Sequence, residues 1–486
     1  MMLRRILARV GLGVAALAIA FGVLYQFFGL RMVMQGGGVP SLQFVASPEE
    51  QAAIIADHRA RQRAEAAALT PAAPATEPAG GDAPAAVPVA ATPAAPEAAV
   101  RPYWTDFFGP LRNGEYRELP IRTDWPAEGL TPRWKQPAGG GYASFTVAHG
   151  RAFTIEQRND QEVVAAYDVA TGRELWTSAW RTRFQETLGG DGPRATPTWF
   201  DGTVYALGAQ GELRALDAAT GRTRWRTNML TDAGAPNVIW GMSASPLIVD
   251  GTVVVLPGGP NGKSVVAYDR QTGKIAWSAL NDRAAYVSPM LVTLAGTRQL
   301  LVFTAERLMG LTPETGAVLW EYPWQTYNDI TVAQPLLLGG DRVFISSGYG
   351  QGAAVVEVSA AEGRFSVREV WRNNRMKNKF TSSVLHEGFI YGLDEAILAC
   401  VDAATGELKW KGGRYGYGQV LLASGHLIVL AEDGDLALVR ATPTRHEEVV
   451  RFPVLNGKTW NHPALSGGYL LVRNLAEMAA FDLRRP

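Results

Sequence analysis

Short runs of alternating hydrophobic and polar residues, separated by glycine-rich turns, recur along the chain from about residue 140 to the C-terminus. Residues 243–259 (SASPLIVDGTVVVLPGG) have the pattern strand, Asp-Gly turn, strand. The same unit continues through a third strand at 264–269 (SVVAYD), a turn, and a fourth strand that ends at Trp277. A two-residue period rich in Val, Tyr and Trp, bounded by turn residues, is typical of β-strands. The pattern therefore predicts a repeated unit of four antiparallel strands.

The turn before the last strand of a unit follows one motif, D-x-x-T-G-x-x-x-W. The Asp carboxylate can accept hydrogen bonds from turn amides, and glycine adopts a positive φ without a Cβ clash. The Trp four residues later offers a large apolar ring that can pack between units. One copy has Thr in place of Asp and one is degenerate. We expect a set of docking tryptophans, comprising Trp134, Trp176, Trp225, Trp277, Trp320, Trp371 and Trp410.

Successive tryptophans of this set lie 39 to 52 residues apart, which is typical of β-propeller blades. A four-stranded unit cannot cover its own faces, so such units stack radially. Eight units can be counted, and the last ends at AAFDLRRP, where its fourth strand should begin. Residues 131–136 (TPRWKQ) can supply that strand. The prediction is an all-β, eight-bladed propeller of four-stranded antiparallel blades over 101–486, with the ring closed by the N-terminal strand. A seven-bladed ring would require two of the weaker units to merge.

The first thirty residues have a different composition. Residues 1–9 contain three arginines, whereas the 21 residues of segment 10–30 contain no charge. At about 1.5 Å per residue such a helix spans about 31 Å, the thickness of a bilayer core. Arginines before the segment predict a cytoplasmic N-terminus. We therefore predict a transmembrane anchor in a bacterial inner membrane, with the propeller in the periplasm. The alternative is a cleaved signal peptide with its site at AIA (18–20).

Two further segments precede the propeller. Residues 47–69 are predicted to form a short helix, because Ser47 and Glu50 can form a capping box. Residues 70–100 are mostly Ala, Pro and Thr, a composition that cannot bury a core and favours an extended spacer. The sequence thus predicts an Ala/Pro-rich linker that holds the propeller away from the membrane.

Composition excludes some function classes. Lys and Arg number 46, as do Asp and Glu, so no net field would attract nucleic acid. Cys400 is the only cysteine, and the chain cannot form an intramolecular disulfide. The six histidines lack metal-binding spacings such as H-E-x-x-H, and no metal site is assigned.

The A-x-D-x-x-T-G-x-x-x-W repeat resembles the tryptophan-docking motif of the pyrroloquinoline quinone (PQQ)-type propeller superfamily, and the resemblance covers residues 101–486. Residues 104–116 (WTDFFGPLRNGEY) resemble the lead-in of many bacterial members. The resemblance implies either a quinoprotein dehydrogenase, with PQQ and Ca²⁺ over the central channel, or a scaffold such as the propeller of the outer-membrane β-barrel assembly machinery. The dehydrogenases typically stack PQQ on two adjacent bonded cysteines, which this chain cannot form. The scaffold is lipid-anchored through an N-terminal cysteine, which is also missing here.

The candidate ligand site lies at one face of the propeller. The loops that lead into each blade share this face with the loops between second and third strands, and they carry aromatic, cationic and amide groups. Such groups suit a flat or anionic ligand at the channel mouth, although solvated loops have the same composition. No catalytic residue is assigned. The candidate ligand-binding residues are Glu156, Arg158, Trp240, Lys377, Lys379, Tyr417, Trp460 and Asn461.

From these features we predict a membrane-anchored binding or scaffold module that has a protein partner in the cell envelope and acts in envelope protein assembly. No cofactor is assigned to this function. The alternative is a PQQ-dependent alcohol or sugar oxidoreductase with Ca²⁺, in which PQQ stacks on Trp240 or Trp460 and its carboxylates meet Lys379 or Arg158. A third hypothesis is a sensor of a small extracytoplasmic ligand.

Overall fold

The computed structural model describes residues 20–25, 29–38, 40–69 and 103–485. Their strands form eight sheets of four or five strands and one separate two-stranded hairpin. Within each of the eight sheets, four strands pair antiparallel in a row. The predicted eight-bladed, all-β propeller is therefore confirmed.

The helices and strands follow one another in the order expected for successive blades. Before the first blade lie hairpin strands β1 (Leu30–Met34) and β2 (Pro40–Phe44), helix α1 (Pro48–Leu69), β3 (Glu115–Tyr116) and β4 (Trp134–Pro137). The first blade contains β5 (Thr146–Ala148), β6 (Arg151–Arg158), β7 (Gln161–Asp168) and β8 (Glu174–Arg181). The second contains β9 (Thr198–Phe200), β10 (Thr203–Leu207), β11 (Glu212–Asp217) and β12 (Thr223–Asn228), followed by the short helix α2 (Met229–Ala233). The third contains β13 (Leu247–Val249), β14 (Thr252–Val255), β15 (Val265–Asp269) and β16 (Ile275–Ala279). The fourth contains β17 (Met290–Leu294), β18 (Thr297–Phe303), β19 (Arg307–Leu311) and β20 (Val318–Pro323), followed by a 3₁₀ turn (Tyr327–Asp329).

The remaining four blades complete the propeller. The fifth contains β21 (Leu336–Gly339), β22 (Arg342–Ser347), β23 (Gly352–Ala361) and β24 (Arg364–Asn373). The sixth contains β25 (Val384–His386), β26 (Phe389–Asp394), β27 (Ile397–Asp402) and β28 (Leu408–Arg414). The seventh contains β29 (Gln419–Ala423), β30 (His426–Leu430), β31 (Asp435–Arg440) and β32 (Glu448–Pro453), with β3 added beside β29. The eighth contains β33 (Ala464–Ser466), β34 (Tyr469–Arg473) and β35 (Glu477–Asp482), with β4 as its fourth strand.

The eighth blade is assembled from two distant parts of the chain. Strand β4 pairs antiparallel with β35, so that Trp134 lies opposite Ala480. The first and last blades are thereby neighbours through a strand that precedes the first blade in sequence.

Tryptophans of the repeat motif join neighbouring blades. The indole N–H of Trp176 donates to the carbonyl of Ala218, in the motif turn of the next blade, at 3.1 Å. Gly221 of that turn has a φ of 73°, and a Cβ there would lie 2.5 Å from the Trp176 ring. Glycine is therefore required by both conformation and space. Equivalent donations, at 2.8 to 3.0 Å, are made by Trp134, Trp225, Trp371 and Trp410.

Two members of the set pack differently. The indole N–H of Trp320 donates to the side-chain oxygen of Gln299, in the same blade, at 2.6 Å. Trp277 lies beneath Gly316 of the next blade, where a Cβ would come within 2.7 Å of its ring. Trp277 therefore keeps the packing beneath the next motif turn, whereas Trp320 packs against Gly310 of its own blade.

A ring of side-chain hydrogen bonds surrounds the central channel at the beginning of the innermost strands. Thr196 Oγ1 accepts from the backbone N–H of Ser144 at 2.9 Å, and Ser245 Oγ accepts from the N–H of Thr196 at 3.0 Å. The remaining members are Ser288, Gln334, Ser382, Gln419 and Asn461. These groups are buried, and buried polar groups are stable only when they are hydrogen-bonded. Every blade is thus tied to its neighbours at the channel wall.

The lead-in before the first blade fills the channel from the face that carries the motif turns. β3 pairs in parallel with the end of β29 that lies next to these turns. Trp104 and Phe108 are buried, and the Arg112 side chain is only 2% exposed. Its guanidinium donates to the carbonyl of Pro289 at 2.8 Å and forms an ion pair with Asp106 at 3.0 Å. The lead-in therefore acts as a core for the innermost strands.

Helix α1 packs against the seam between the eighth and first blades. It begins with the capping box of Ser47 and Glu50, whose two hydrogen bonds measure 2.7 and 3.1 Å. Ile55 is buried, and the Arg59 guanidinium donates to Gln136 Oε1 of β4 at 2.8 Å. The helix is thus bound to the propeller rather than extended away from it.

Among the residues that the structure describes, no helix is long and apolar enough to cross a membrane. Residues 20–25 are helical. Most of the predicted anchor (10–30), the N-terminal residues 1–9 and the predicted linker (70–100) lie outside the described residues. Residues 29–69 lie against the propeller, since Gly36 of the hairpin contacts Glu432 and Arg59 of α1 contacts Gln136. The linker over 70–100 stays a prediction.

Candidate functional site

The channel mouth opposite the motif turns is surrounded by aromatic rings. Trp460 stacks on Tyr142 with ring centroids 5.4 Å apart. The ring centroids of Trp460 and Phe380 are 4.6 Å apart. Trp240 packs against Tyr286 with centroids 5.9 Å apart. Tyr417 and Tyr349 complete this group, which we call the mouth aromatics: Tyr142, Trp240, Tyr286, Tyr349, Phe380, Tyr417 and Trp460. The loops that lead into the blades supply most of them.

Charged side chains lie among these rings. Glu432, in the loop between β30 and β31, accepts from the indole N–H of Trp460 at 2.9 Å. The ammonium of Lys458 lies 4.3 Å from the Trp460 ring centroid and donates to the carbonyl of Gly189 at 3.1 Å. Burial lowers the pKa of Lys458 to about 8. The mouth therefore combines a carboxylate with a lysine whose charge is weakly stabilised.

The Lys379 ammonium lies between rings of the mouth aromatics. Its ammonium lies 4.6 Å from the Tyr349 centroid and 4.8 Å from the Tyr417 centroid. Cation–π attraction holds a cation in such a place. Burial nevertheless lowers the pKa of Lys379.

The tip of the β1–β2 hairpin sits on this group. The backbone N–H of Gly36 donates to Glu432 Oε1 at 2.6 Å, and the Lys379 ammonium donates to the Gly36 carbonyl at 2.6 Å. A cavity of about 1270 Å³ lies between the hairpin, the beginning of α1 and the surrounding loops. The mouth is thus partly covered by the chain's own N-terminal segment.

Glu156 and Arg158 do not face the mouth as free ligand groups. Glu156 is buried and accepts from the N–H of Gly139 at 2.7 Å and from the Tyr167 hydroxyl at 3.0 Å. Arg158 forms an ion pair with Glu156 and another with Glu174. Burial would raise the pKa of Glu156, but neighbouring guanidinium charges, above all that of Arg158, lower it to about 2. Both residues belong to a buried ion network next to α1.

Lys377 and Asn461 also have structural partners. The Lys377 ammonium is 2.8 Å from Asp394 Oδ1, and Lys411 is 2.8 Å from Oδ2 of the same buried carboxylate. Asn461 is fully buried and donates to the carbonyls of Gly141 and Ala143 at 3.0 Å. Of the eight residues proposed from the sequence, the structure brings four to the mouth, namely Trp240, Lys379, Tyr417 and Trp460.

Sequence reasoning missed Glu432 and Lys458 as members of this group. Lys458 stands in a loop that the repeat pattern does place on this face (KTWNHP, 458–463). Glu432 lies in an acidic turn (EDGD, 432–435) that resembles an ordinary surface turn. Gly36 lies far outside the repeat, and nothing local relates it to Glu432, which is 396 residues away.

The residues at the mouth do not fit PQQ and Ca²⁺. Trp460 already packs against Tyr142 and Phe380, and the Lys458 ammonium lies 4.3 Å from its ring centroid. Lys379 is bonded to the hairpin, and Arg158 is neutralised by two carboxylates. Within the described part of the chain, no group of three or more His, Cys, Asp or Glu side chains could hold a metal ion. The arrangement suits the binding of polypeptide backbone and apolar surface.

Comparisons with known proteins agree with the repeat. A family model described as outer membrane protein assembly factor BamB matches residues 159–412, more than half of the chain. The outer membrane protein assembly factor BamB of Burkholderia pseudomallei is 24% identical over 288 residues, 56% of this chain and 66% of that protein. The quinohemoprotein alcohol dehydrogenase ADH IIB of Pseudomonas putida is 35% identical over 120 residues, 24% of this chain. The chain spans only 17% of the length of that dehydrogenase.

Solved structures show the same fold. The quinohemoprotein alcohol dehydrogenase of Comamonas testosteroni superposes with a TM-score of 0.59 at 14% identity, over 80% of this chain and 82% of that one. Identity this low supports the fold alone. Together with the family match and the conserved geometry of the tryptophan turns, it confirms the resemblance to PQQ-type propellers. The chain belongs to the PQQ-type propeller family whose model is described as outer membrane protein assembly factor BamB.

Proposed function

We propose that this chain is a non-enzymatic scaffold of the bacterial cell envelope, which binds another protein through its channel-mouth face and acts in the assembly of outer-membrane proteins. The family match and the relatives named as assembly factors support the process. The observation that carries the binding role is that the chain itself fills one end of the channel and partly covers the other. The lead-in occupies one end and the hairpin tip covers the other.

While the hairpin tip covers the mouth, the exposed surface for recognition is the surrounding rim. Ile239 is 64% exposed and Tyr327 is 67% exposed, and Leu188 is also exposed on loops of the channel-mouth face. Tyr327 lies 6.4 Å from Tyr349, and Ile239 is next to Trp240 in sequence. Exposed apolar and aromatic side chains next to one another mark protein-binding surfaces. We assign the partner to this arc of the rim.

The proposal includes an inner-membrane anchor at residues 10–30, with the propeller on the periplasmic side. The apolar segment ends at Leu30, which is also the first residue of β1. The hairpin presents Met32, Leu42 and Phe44 on its exposed face. An apolar face that follows an apolar segment without a spacer suits contact with a membrane surface. An anchor here would hold the channel-mouth face, and not the motif-turn face, toward the bilayer.

Site-specific photo-cross-linking in intact cells tests the partner. A cross-linking amino acid at Ile239 should yield a discrete adduct, whereas one at Ile275, which is exposed near the motif turns, should not. Equal adducts at both positions, or none at Ile239 and Leu188, would contradict binding at this face. Carbonate extraction and protease protection of the full chain test the anchor separately, since a chain in the soluble fraction would remove the anchor and leave the partner surface in place.

Calorimetric titration of the full chain with PQQ, with and without Ca²⁺, tests the enzymatic alternative. We expect no binding heat at micromolar concentrations, because Trp460 already packs against two rings and both Lys379 and Arg158 already have partners within the chain. Tight binding that is lost in Trp460→Ala would overturn the scaffold proposal in favour of a quinoprotein.

A further inference from the structure

The contact between the hairpin tip and the channel mouth has the form of a ligand seated in a site. We propose that the mouth is a peptide-binding site selective for glycine, which Gly36 of the chain's own hairpin occupies and which a glycine-containing loop of another polypeptide can bind in its place. The occupied state follows from the contacts alone. The replacement of Gly36 by a second polypeptide rests on the proposed function, because the incoming glycine-containing loop would belong to the partner proposed there.

Two opposite charges bind the two polar groups of one residue. Glu432 accepts the N–H of Gly36, and Lys379 donates to its carbonyl, both at 2.6 Å. Hydrogen bonds with a charged partner are shorter and stronger than neutral ones. Every residue except proline has both a backbone N–H and a C=O. Glu432 and Lys379 can therefore bind an extended backbone whatever its side chain.

The Tyr417 ring supplies the selectivity. A Cβ on Gly36 would overlap three atoms of that side chain, all closer than real Cβ contacts. A Cβ on Gly37 would meet the same ring at 3.7 Å, an ordinary van der Waals distance. Gly36 is therefore required by the space that Tyr417 occupies, whereas Gly37 is not. The ring itself packs against Phe380, with centroids 5.8 Å apart, and the backbone N–H of Tyr417 donates to Glu432 at 3.2 Å.

The occupying segment can leave without disturbing the propeller. An isolated two-stranded hairpin has marginal stability in water. β1 and β2 pair only with each other, with Leu30 opposite Phe44 at one end and Met34 opposite Pro40 at the other. The cavity of about 1270 Å³ beside the tip already separates much of the hairpin from the propeller. Departure of the tip would join this cavity to the site and expose Glu432 and Lys379.

Hydrogen exchange of the full chain tests the occupied state, with Gly36→Ala compared with Gly37→Ala. We expect amides of residues 30–44 to exchange at least about tenfold faster in Gly36→Ala, with Gly37→Ala and the wild type alike. Equal exchange in the two variants would overturn the selectivity. Unchanged exchange in the blade strands shows that neither variant unfolds the propeller.

Binding of a synthetic peptide of residues 29–45 (GLRMVMQGGGVPSLQFV) tests the exchange. The peptide should bind full-chain Gly36→Val at least about tenfold more tightly than the wild type, because the variant's own tip cannot compete. A peptide with Ala at the position of Gly36, or addition of Lys379→Met to the protein, should abolish the difference. Equal binding to both proteins, or no binding to Gly36→Val, would overturn the proposal. Cross-linking at Ile239 does not depend on this peptide assay. The two measurements therefore distinguish a failure of the glycine-site proposal from a failure of the proposed function.

Discussion

The same chain fills one end of the central channel and partly covers the other, and its contacts at the two ends differ in kind. At the motif-turn face the lead-in is a buried core that contains Trp104, Phe108 and the guanidinium of Arg112. At the channel mouth the hairpin tip is held chiefly by Gly36, between Glu432 and Lys379. The first arrangement has apolar burial and a buried charge with several partners, whereas the second has two charge-assisted hydrogen bonds and one close ring. We infer from this difference that the lead-in contacts serve folding, whereas the hairpin contact serves the proposed recognition of another polypeptide.

Loss of Arg112 should have the largest effect. In Arg112→Met the carbonyls of Ser245, Pro246 and Pro289 lose their donor and Asp106 loses its counter-charge. We expect the free energy of unfolding to fall by about 3–5 kcal/mol, measured by urea denaturation.

The control for this substitution is Arg117→Met, since that side chain is exposed and pairs only with Glu115 near the surface. It should change the stability by less than about 1 kcal/mol. Equal losses in the two variants would contradict a structural role for the lead-in's buried guanidinium.

Mild acid should weaken the lead-in end. His462 is enclosed by Phe107 and Phe108, with ring centroids 4.9 and 5.0 Å away, and burial lowers its pKa to about 3. Between that value and the ordinary pKa of about 6.5 the unfolded chain binds a proton that the folded chain does not. Stability from this residue is therefore complete above about pH 6.5 and falls as the pH drops. We expect a loss of about 2 kcal/mol between pH 7 and pH 5.

The measurement is urea denaturation at both pH values, in the wild type and in His462→Phe. The variant should lose less stability on acidification by about the same 2 kcal/mol. An identical pH dependence in both proteins would show that His462 is not buried in its neutral form.

Mild base should strengthen the mouth end by a smaller amount. The pKa of Lys458, lowered by burial to about 8, lies below its unfolded value of about 10.4. Between these values the unfolded chain holds the extra proton, so stability rises with pH. We expect a gain of about 1 kcal/mol between pH 7 and pH 9, detected by urea denaturation. Lys458→Met should remove this gain, whereas Lys409→Met, on an outer strand, should retain it.

Release of the hairpin should have the smallest effect on global stability. Gly36→Ala should change the free energy of unfolding by less than about 0.5 kcal/mol, because the tip contributes little to the blade cores. Trypsin should nevertheless cleave after Arg31 faster than in the wild type. A large drop in the free energy of unfolding would show that the hairpin, like the lead-in, contributes to the stability of the whole propeller. The two channel ends would then not differ in this respect.

The sequence predicts the blades because each blade carries its own signals. Asp168, Thr171 and Gly172 form one turn through bonds between near neighbours, and the alternating strands beside it need no distant information. The family resemblance depends on the same local repeat. The local repeat therefore suffices to predict the number of blades and their strand content.

The site was harder to predict because its members meet only after the ring has formed. Glu156 and Arg158 were expected in a loop at the mouth, yet they lie at the end of strand β6, where buried charges pair with one another. Gly36 and Glu432 have no pattern that relates them, since the contact joins a segment outside the repeat to a turn within it. The alternation of hydrophobic and polar residues identifies the buried face of a strand. It does not identify the distant segment that packs against a given loop.

The composite eighth blade has a consequence for the order of folding during synthesis. Strand β4 emerges more than 300 residues before β35, its partner, and an unpaired strand edge invites pairing with other chains. A nascent propeller therefore carries an open seam until its last strands appear. Closure of the ring therefore depends on the strands that are synthesised last, whereas each of the first seven blades can form from consecutive strands.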